Sequence, residues 1–169
     1  LLVGAPGDDP AGCPQPAATG AGAGNRGAAL LVFGLHVASR LDLGRAAGAA
    51  ATFAGGQPGD RAGSAVAGAG GGLVMIGAPQ ASPLGRIGAG AAYLLHRPRQ
   101  GAMVSLASPP GGTTTFAGAL PDDALGFSLS TTARTAGRVR GAEMVLGAPQ
   151  ASPDGRLHAG SVFVLPRAR

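Results

Sequence analysis

The chain has 169 residues, a formal charge of +5 and a pI near 11.3, yet only 12 % of its residues are charged and 45 % are hydrophobic. Its cationic residues are all Arg, spread from Arg26 to Arg169 with few aromatics between them, so the charge reads as compositional bias and nucleic-acid binding is not expected. No apolar run is long enough to cross a bilayer as a helix, and the single cysteine, Cys13, excludes an internal disulfide or a Cys-based metal site.

The elements follow in chain order. Leu1-Leu2-Val3 is an apolar run that opens the chain, so the sequence is expected to be a fragment cut inside a strand. It leads into Gly4-Ala5-Pro6, followed by a Pro-rich stretch and by the run Ala28 to Val32. Thr52-Phe53-Ala54-Gly55, Asp60 and Gly63-Ser64-Ala65-Val66 come next, then glycines from Gly68 to Gly72. Leu73-Val74-Met75-Ile76 then enters Gly77-Ala78-Pro79, and Ala91 to Leu95 follows. The order recurs with Thr115-Phe116-Ala117-Gly118, Asp123, Phe127 to Thr131, Met144-Val145-Leu146, Gly147-Ala148-Pro149 and Ser161 to Leu165.

Glycine (32) and proline (14) exceed a quarter of the chain, a share that implies disorder unless the sequence is periodic. Here it is periodic. The Gly-Ala-Pro triplets are 73 and 70 residues apart, the last two continue as Ala-Pro-Gln-Ala-Ser-Pro, and the Thr-Phe-Ala-Gly segments and the two aspartates are 63 apart. The seven-residue difference falls between Val66 and Leu73, opposite the longer stretch Thr131 to Glu143, and reads as a shortened loop. Apolar runs of four or five residues bounded by Gly, Pro, Ser or Asp predict short strands, about four per unit. Leu73 to Ile76 and Met144 to Leu146 are apolar on both alternations, so both faces should be covered by stacked sheets. In Gly-Ala-Pro, Gly permits a positive φ or a close backbone approach, Ala keeps the contact small, and Pro removes the donor that would extend the ladder. Four strands per unit at this period predict an all-β fold: a partial, unclosed β-propeller of four-stranded antiparallel blades, about two to three in number. Residues 1–169 form one domain, with a partial blade over 1–34 and units over about 35–97 and 98–169.

Asp123, Leu125-Gly126-Phe127-Ser128-Leu129, Met144 to Pro149 and Gly160 to Leu165 carry a resemblance to the FG-GAP repeat family. Asp60, Gly63 to Val66, Leu73 to Pro79 and Gly90 to Leu95 repeat it. This family supplies the blades of the integrin α-subunit β-propeller and of many bacterial and algal surface proteins. Its Phe-Gly element is altered to Leu125 in one unit and Ala62 in the other, so looser packing is expected there. In the family the loop before the Gly-Ala-Pro strand often holds calcium. Here the oxygen ligands are replaced by Arg134, Ala136 and Arg138, so no metal or other cofactor is expected in this segment, although calcium is expected in further blades of the parent protein.

Other motifs have ordinary readings. Gly22 to Gly27 spells a dinucleotide fingerprint but sits in a Pro- and Ala-rich insertion, without a preceding strand. Ser128 lies in a predicted strand one residue short of a nucleophile elbow, and His36, His96 and His158 show no metal-ligand spacing. Asp60 and Asp123 each precede a Gly-containing turn and are expected to cap its amides. Arg134, Arg138 and Arg140 form the one concentrated charge feature, a candidate ligand loop for an acidic partner such as an anionic glycan.

The resemblance implies a non-enzymatic adhesion or interaction module at the cell surface or outside the cell, with a protein or glycan ligand at one rim and further blades as neighbours. The alternative it suggests is an accessory propeller attached to a secreted, phospholipase-like hydrolase. Sheets left open at both ends are also expected to make the isolated piece self-associate.

Overall fold

The computed structural model describes residues 1–9, 24–34, 42–43, 50–68, 72–134 and 141–166. The strands are β1 (Leu2–Ala5), β2 (Ala28–Val32), β3 (Ala50–Ala54), β4 (Ala65–Gly68), β5 (Leu73–Ala78) and β6 (Ala91–His96). They continue as β7 (Met103–Ser105), β8 (Thr114–Ala117), β9 (Ser128–Arg134), β10 (Gly141–Ala148) and β11 (Ser161–Pro166). Two short 3₁₀ turns, Pro83–Gly85 and Pro153–Gly155, lie between strands. The all-β expectation therefore holds, in three sheets with orders β1-β2-β3-β7, β4-β5-β6-β8 and β9-β10-β11, none of them closed.

The repeat read in the sequence is a repeat of register. Gly77 pairs with Ala65 on one side and Ala92 on the other, and Gly147 pairs with Ser128 and Val162 at the matching positions. Gly4 opposite Ala29 gives the same arrangement in the first sheet. Ala28↔Ala54 corresponds to Ala91↔Ala117, and the isolated bridges Gly27↔Ala62 and Gly90↔Leu125 are likewise 63 residues apart. A one-residue slip would turn every side chain to the opposite face, so preserved register keeps the same positions buried in each sheet.

The sheets cut the chain at a different phase from the sequence unit. Thr114–Ala117 stands among the predicted strands leading into the last unit, but β8 is the fourth strand of the sheet before it, hydrogen-bonded to β6. Nor are the sheets wholly antiparallel, because β7 runs parallel to β3. The chain leaves β6, crosses to the neighbouring sheet as a short arm, and returns as β8. The longer version of the β9–β10 hairpin is more than a loop: Thr132, Ala133 and Arg134 extend β9 and pair with Glu143, Ala142 and Gly141.

The fully apolar runs behave as their composition requires. All six residues of β5 are buried, between two clusters that lie on its opposite faces. One cluster joins the first two sheets through Ala29, Phe53, Val74, Ile76, Tyr93 and Leu106. The other joins the second and third through Met75, Leu94, Leu125, Met144 and Leu146. Burying each large side chain contributes about 1.5–3 kcal/mol. The third sheet is covered on one face only, which leaves Val162 and Val164 of β11 exposed at 70 % and 61 %.

Candidate functional site

The most regular polar feature is a clasp that recurs in the second and third sheets, at the end where the Gly-Ala-Pro strand stops. Asp60 accepts the Gln57 amide hydrogen at 2.8 Å through Oδ2, and Asp123 accepts that of Leu120 at 2.8 Å in the same way. Both carboxyls are buried. The aspartate carbonyls accept hydrogens from Gln80 (3.3 Å) and Gln150 (3.4 Å), the residues that follow the two Gly-Ala-Pro triplets. Gly63 N–H donates to the Gly77 carbonyl at 2.9 Å, and Gly126 N–H to that of Gly147 at 3.1 Å. Each aspartate thus ties the turn before one strand to the turn after the next.

This clasp explains the glycine of the triplet. A Cβ on Gly4 would strike the Gly63 carbonyl oxygen, one on Gly77 that of Gly126, and one on Gly147 the Ser128 hydroxyl. None of these three glycines has a positive φ, so at Gly4 and Gly77 close approach to backbone, and not left-handed conformation, is what excludes a side chain, while at Gly147 the neighbour is the rotatable Ser128 hydroxyl. Ala78 and Ala148 are each 1 % exposed, while Pro79 is buried and Pro6 and Pro149 are exposed.

Between the two clasps lies an open depression of about 370 Å³, lined by Arg61, Ser64, Gln80, Asp122, Phe127 and Gln150 among others. The two glutamines are equivalent by the repeat, whereas Arg61 corresponds to Ala124 and Ser64 to Phe127. Phe127 is 60 % exposed, unusual for an aromatic in a chain with so few. The frame is therefore held constant while the side chains that face outward differ. Arg61 and Ala124 share a left-handed φ of 55° and 56°, so the backbone presents the two side chains alike.

A second polar group lies deeper, near the first clasp. Arg26 is 4 % exposed and its Nη2 has no hydrogen-bond partner; the equivalent residue in the next unit is Ala89. Its charge acts on Asp60, whose pKa is nonetheless raised, because burial outweighs the amide hydrogen bonds and the guanidinium. Burial, reinforced by the Asp60 charge, pushes Tyr93 up to about 12. Arg26, unlike the exposed arginines of the chain, enters the interior directly before Gly27 and β2. Comparison of equivalent positions is the one signal that could have marked it.

The remaining sequence candidates separate. Arg134 ends β9 opposite Gly141, whereas Ala136, Arg138 and Arg140 lie outside the described residues, as do His36 and Cys13. Asp9 holds the Asn25 and Arg26 amides at 3.1 Å each, and Gly27 leads into strand β2, so no helix N-terminus opens after the Gly22 to Gly27 motif. His96 ends β6 at the surface, and His158 occupies a left-handed turn position with its amide bound to Ser152 Oγ at 3.0 Å. Ala62 and Leu125, at the altered Phe positions, are 0 % and 4 % exposed. Gly27 approaches the Ala62 backbone as Gly90 approaches that of Leu125, and Leu125 in addition borders a cavity of about 370 Å³. Among the described residues no three His, Cys, Asp or Glu side chains converge as a metal site would require. No protein-family model matches the chain, and no curated protein is similar to it at a significant level.

Proposed function

We propose that the chain is a run of blades from an FG-GAP-type β-propeller and serves as a non-enzymatic interaction module, at the cell surface or outside the cell. One observation carries this reading: the clasp bonds of Asp60 and Asp123 recur at equivalent positions, whereas Arg61 and Ser64 beside the depression are replaced by Ala124 and Phe127 in the next unit. A scaffold of that kind keeps its backbone fixed and varies its rim, which is how loop-bearing β-folds present binding residues. Arg61, Phe127, Gln80 and Gln150 offer a cation, an aromatic face and two amides, groups suited to a protein or glycan partner. The arginine segment of the sequence, Arg134, Arg138 and Arg140, falls between β9 and β10 in chain order and is a second candidate contact for an acidic ligand.

A binding screen of the intact chain against immobilised extracellular-matrix proteins and sulfated and neutral glycans tests the proposal. Phe127→Ser combined with Arg61→Ser should abolish a captured ligand's binding with the thermal transition unchanged. If the double variant and an Arg134, Arg138 and Arg140 to Ser triple variant both bind as the parent does, the rim reading fails.

A further inference from the structure

A cavity of about 410 Å³ opens at the end of the second sheet opposite the clasps, where the chain leaves β6 for the arm. Its lining residues run from Phe53 to Thr113, well inside the chain, with both flanking sheets and the arm in place. The floor is apolar: Phe53 and Leu95 are buried, and Val104 of β7 packs beside them. The wall is basic. His96, Arg97 and Arg99 line it, all three exposed, and no Asp or Glu among the described residues joins them. In contrast, the depression between the clasps and the cavity beside Leu125 each include an aspartate, Asp122 in one and Asp123 in the other.

Arg97 stands where the backbone suits glycine. Its φ is 44°, in the left-handed region, and the residue 63 positions earlier is Gly34, with a φ of 60°. The Arg97 N–H donates to the Gly72 carbonyl at 2.7 Å, and a Cβ on Gly72 would stand 3.0 Å from Arg97 Cγ, so a bare glycine makes room for the arginine stem. Arg99 is fixed by the turn that follows, its carbonyl accepting the Ala102 N–H at 3.1 Å. In the sequence the Arg-x-Arg spacing recurs 70 residues on as Arg167-Ala168-Arg169. Strain retained where glycine would remove it points to a use for the side chain.

We infer that this cavity binds a small amphipathic anion, with an apolar body against Leu95 and Val104 and a carboxylate held between Arg97 and Arg99. Its size is that of a small-molecule site, and an apolar lining with a few convergent polar groups is what such sites share. A guanidinium is always charged and meets a carboxylate with two parallel N–H donors; His96 adds a third basic group to the wall. The cavity lies at the other end of the sheets from the rim depression and is independent of the function proposed there.

The test titrates octanoate into the intact chain and follows amide chemical shifts, with octanamide as the same body without the charge and acetate as the charge without the body. Saturable binding of octanoate is expected, with shifts over residues 95–99, 102–104 and 110–113, and at least about tenfold weaker binding of either control. Arg97→Gly should weaken octanoate binding at least about tenfold while the melting temperature holds or rises, since glycine accepts the left-handed backbone. Arg99→Ser should weaken it similarly with melting unchanged. Equal binding of octanamide would make the site a merely apolar cavity and overturns the inference. So do parental affinity in both arginine variants, shifts centred on Leu125 or Phe127 instead, or no saturable binding of octanoate.

Discussion

At the scale of single residues, the buried polar groups give the sharpest expectations. Tyr93 is the chain's one tyrosine and there is no tryptophan, so absorbance at 295 nm follows it alone. The phenol should ionise at about 12 while the protein is folded, against about 10 for an exposed tyrosine. Because the folded value is raised, the stabilisation from keeping this group neutral is whole below pH 10 and is lost as the pH climbs through about 12. A titration centred near 10 in folded protein would show that the first and second sheets do not close over Tyr93. Asp60, also raised, favours its protonated form in the fold, so its contribution is whole below 3.8 and declines as the pH rises; this carboxyl resists acid unfolding.

Glycines separate in the same way by what surrounds them. Gly77→Ala drives a methyl into the Gly126 carbonyl, backbone that cannot swing aside, and should cost at least about 2 kcal/mol in urea unfolding. Gly111→Ala meets open space and should stay within about 0.5 kcal/mol of the parent. Sequence pattern could point to Gly77 because its triplet recurs. It could not choose between a positive φ and a close approach, since both demand glycine and only the position of Gly126 decides.

Among the elements, strands β5, β6, β10 and β11 were legible because each is a short apolar run with punctuation at both ends. The arm was not. Met103-Val104-Ser105 is three residues long, flanked by turn-formers, and pairs with a strand about fifty residues earlier, so no local period announces it. Its leucine carries the weight: Leu106→Ala removes a buried side chain from the cluster shared by two sheets and should cost about 2–5 kcal/mol. Met103→Ala, on the outward side of the same strand and 49 % exposed, should change stability by less than about 0.5 kcal/mol. Equal losses at the two positions, measured by denaturant melts, would place the arm elsewhere. The assignment of Thr114–Ala117 to its sheet was equally hidden, since a repeating sequence fixes the length of a unit and leaves open where one sheet ends and the next begins.

For the whole molecule, three sheets stacked in one register account for a chain with so much glycine. Backbone-to-backbone contact at Gly4, Gly27, Gly55, Gly63, Gly77 and Gly126 lets neighbouring units approach more closely than side chains would allow, and apolar strands fill the space between. The candidate site was half legible for the same reason. Asp60 and Asp123 recur and could be found, whereas Arg61 and Phe127 matter by departing from the repeat.

The central claim is that equivalent residues make equivalent contacts between successive sheets. Nuclear Overhauser contacts across the two isolated bridges test it most directly, in protein labelled selectively at glycine, alanine and leucine. The account predicts cross-peaks linking Gly27 to Ala62 and Gly90 to Leu125, with slow amide exchange at both Gly55 and Gly118, whose hydrogens bond to the Gly27 and Gly90 carbonyls at 2.9 Å. Cross-peaks joining Gly27 or Gly90 to different partners, with rapid exchange at those amides, would contradict it.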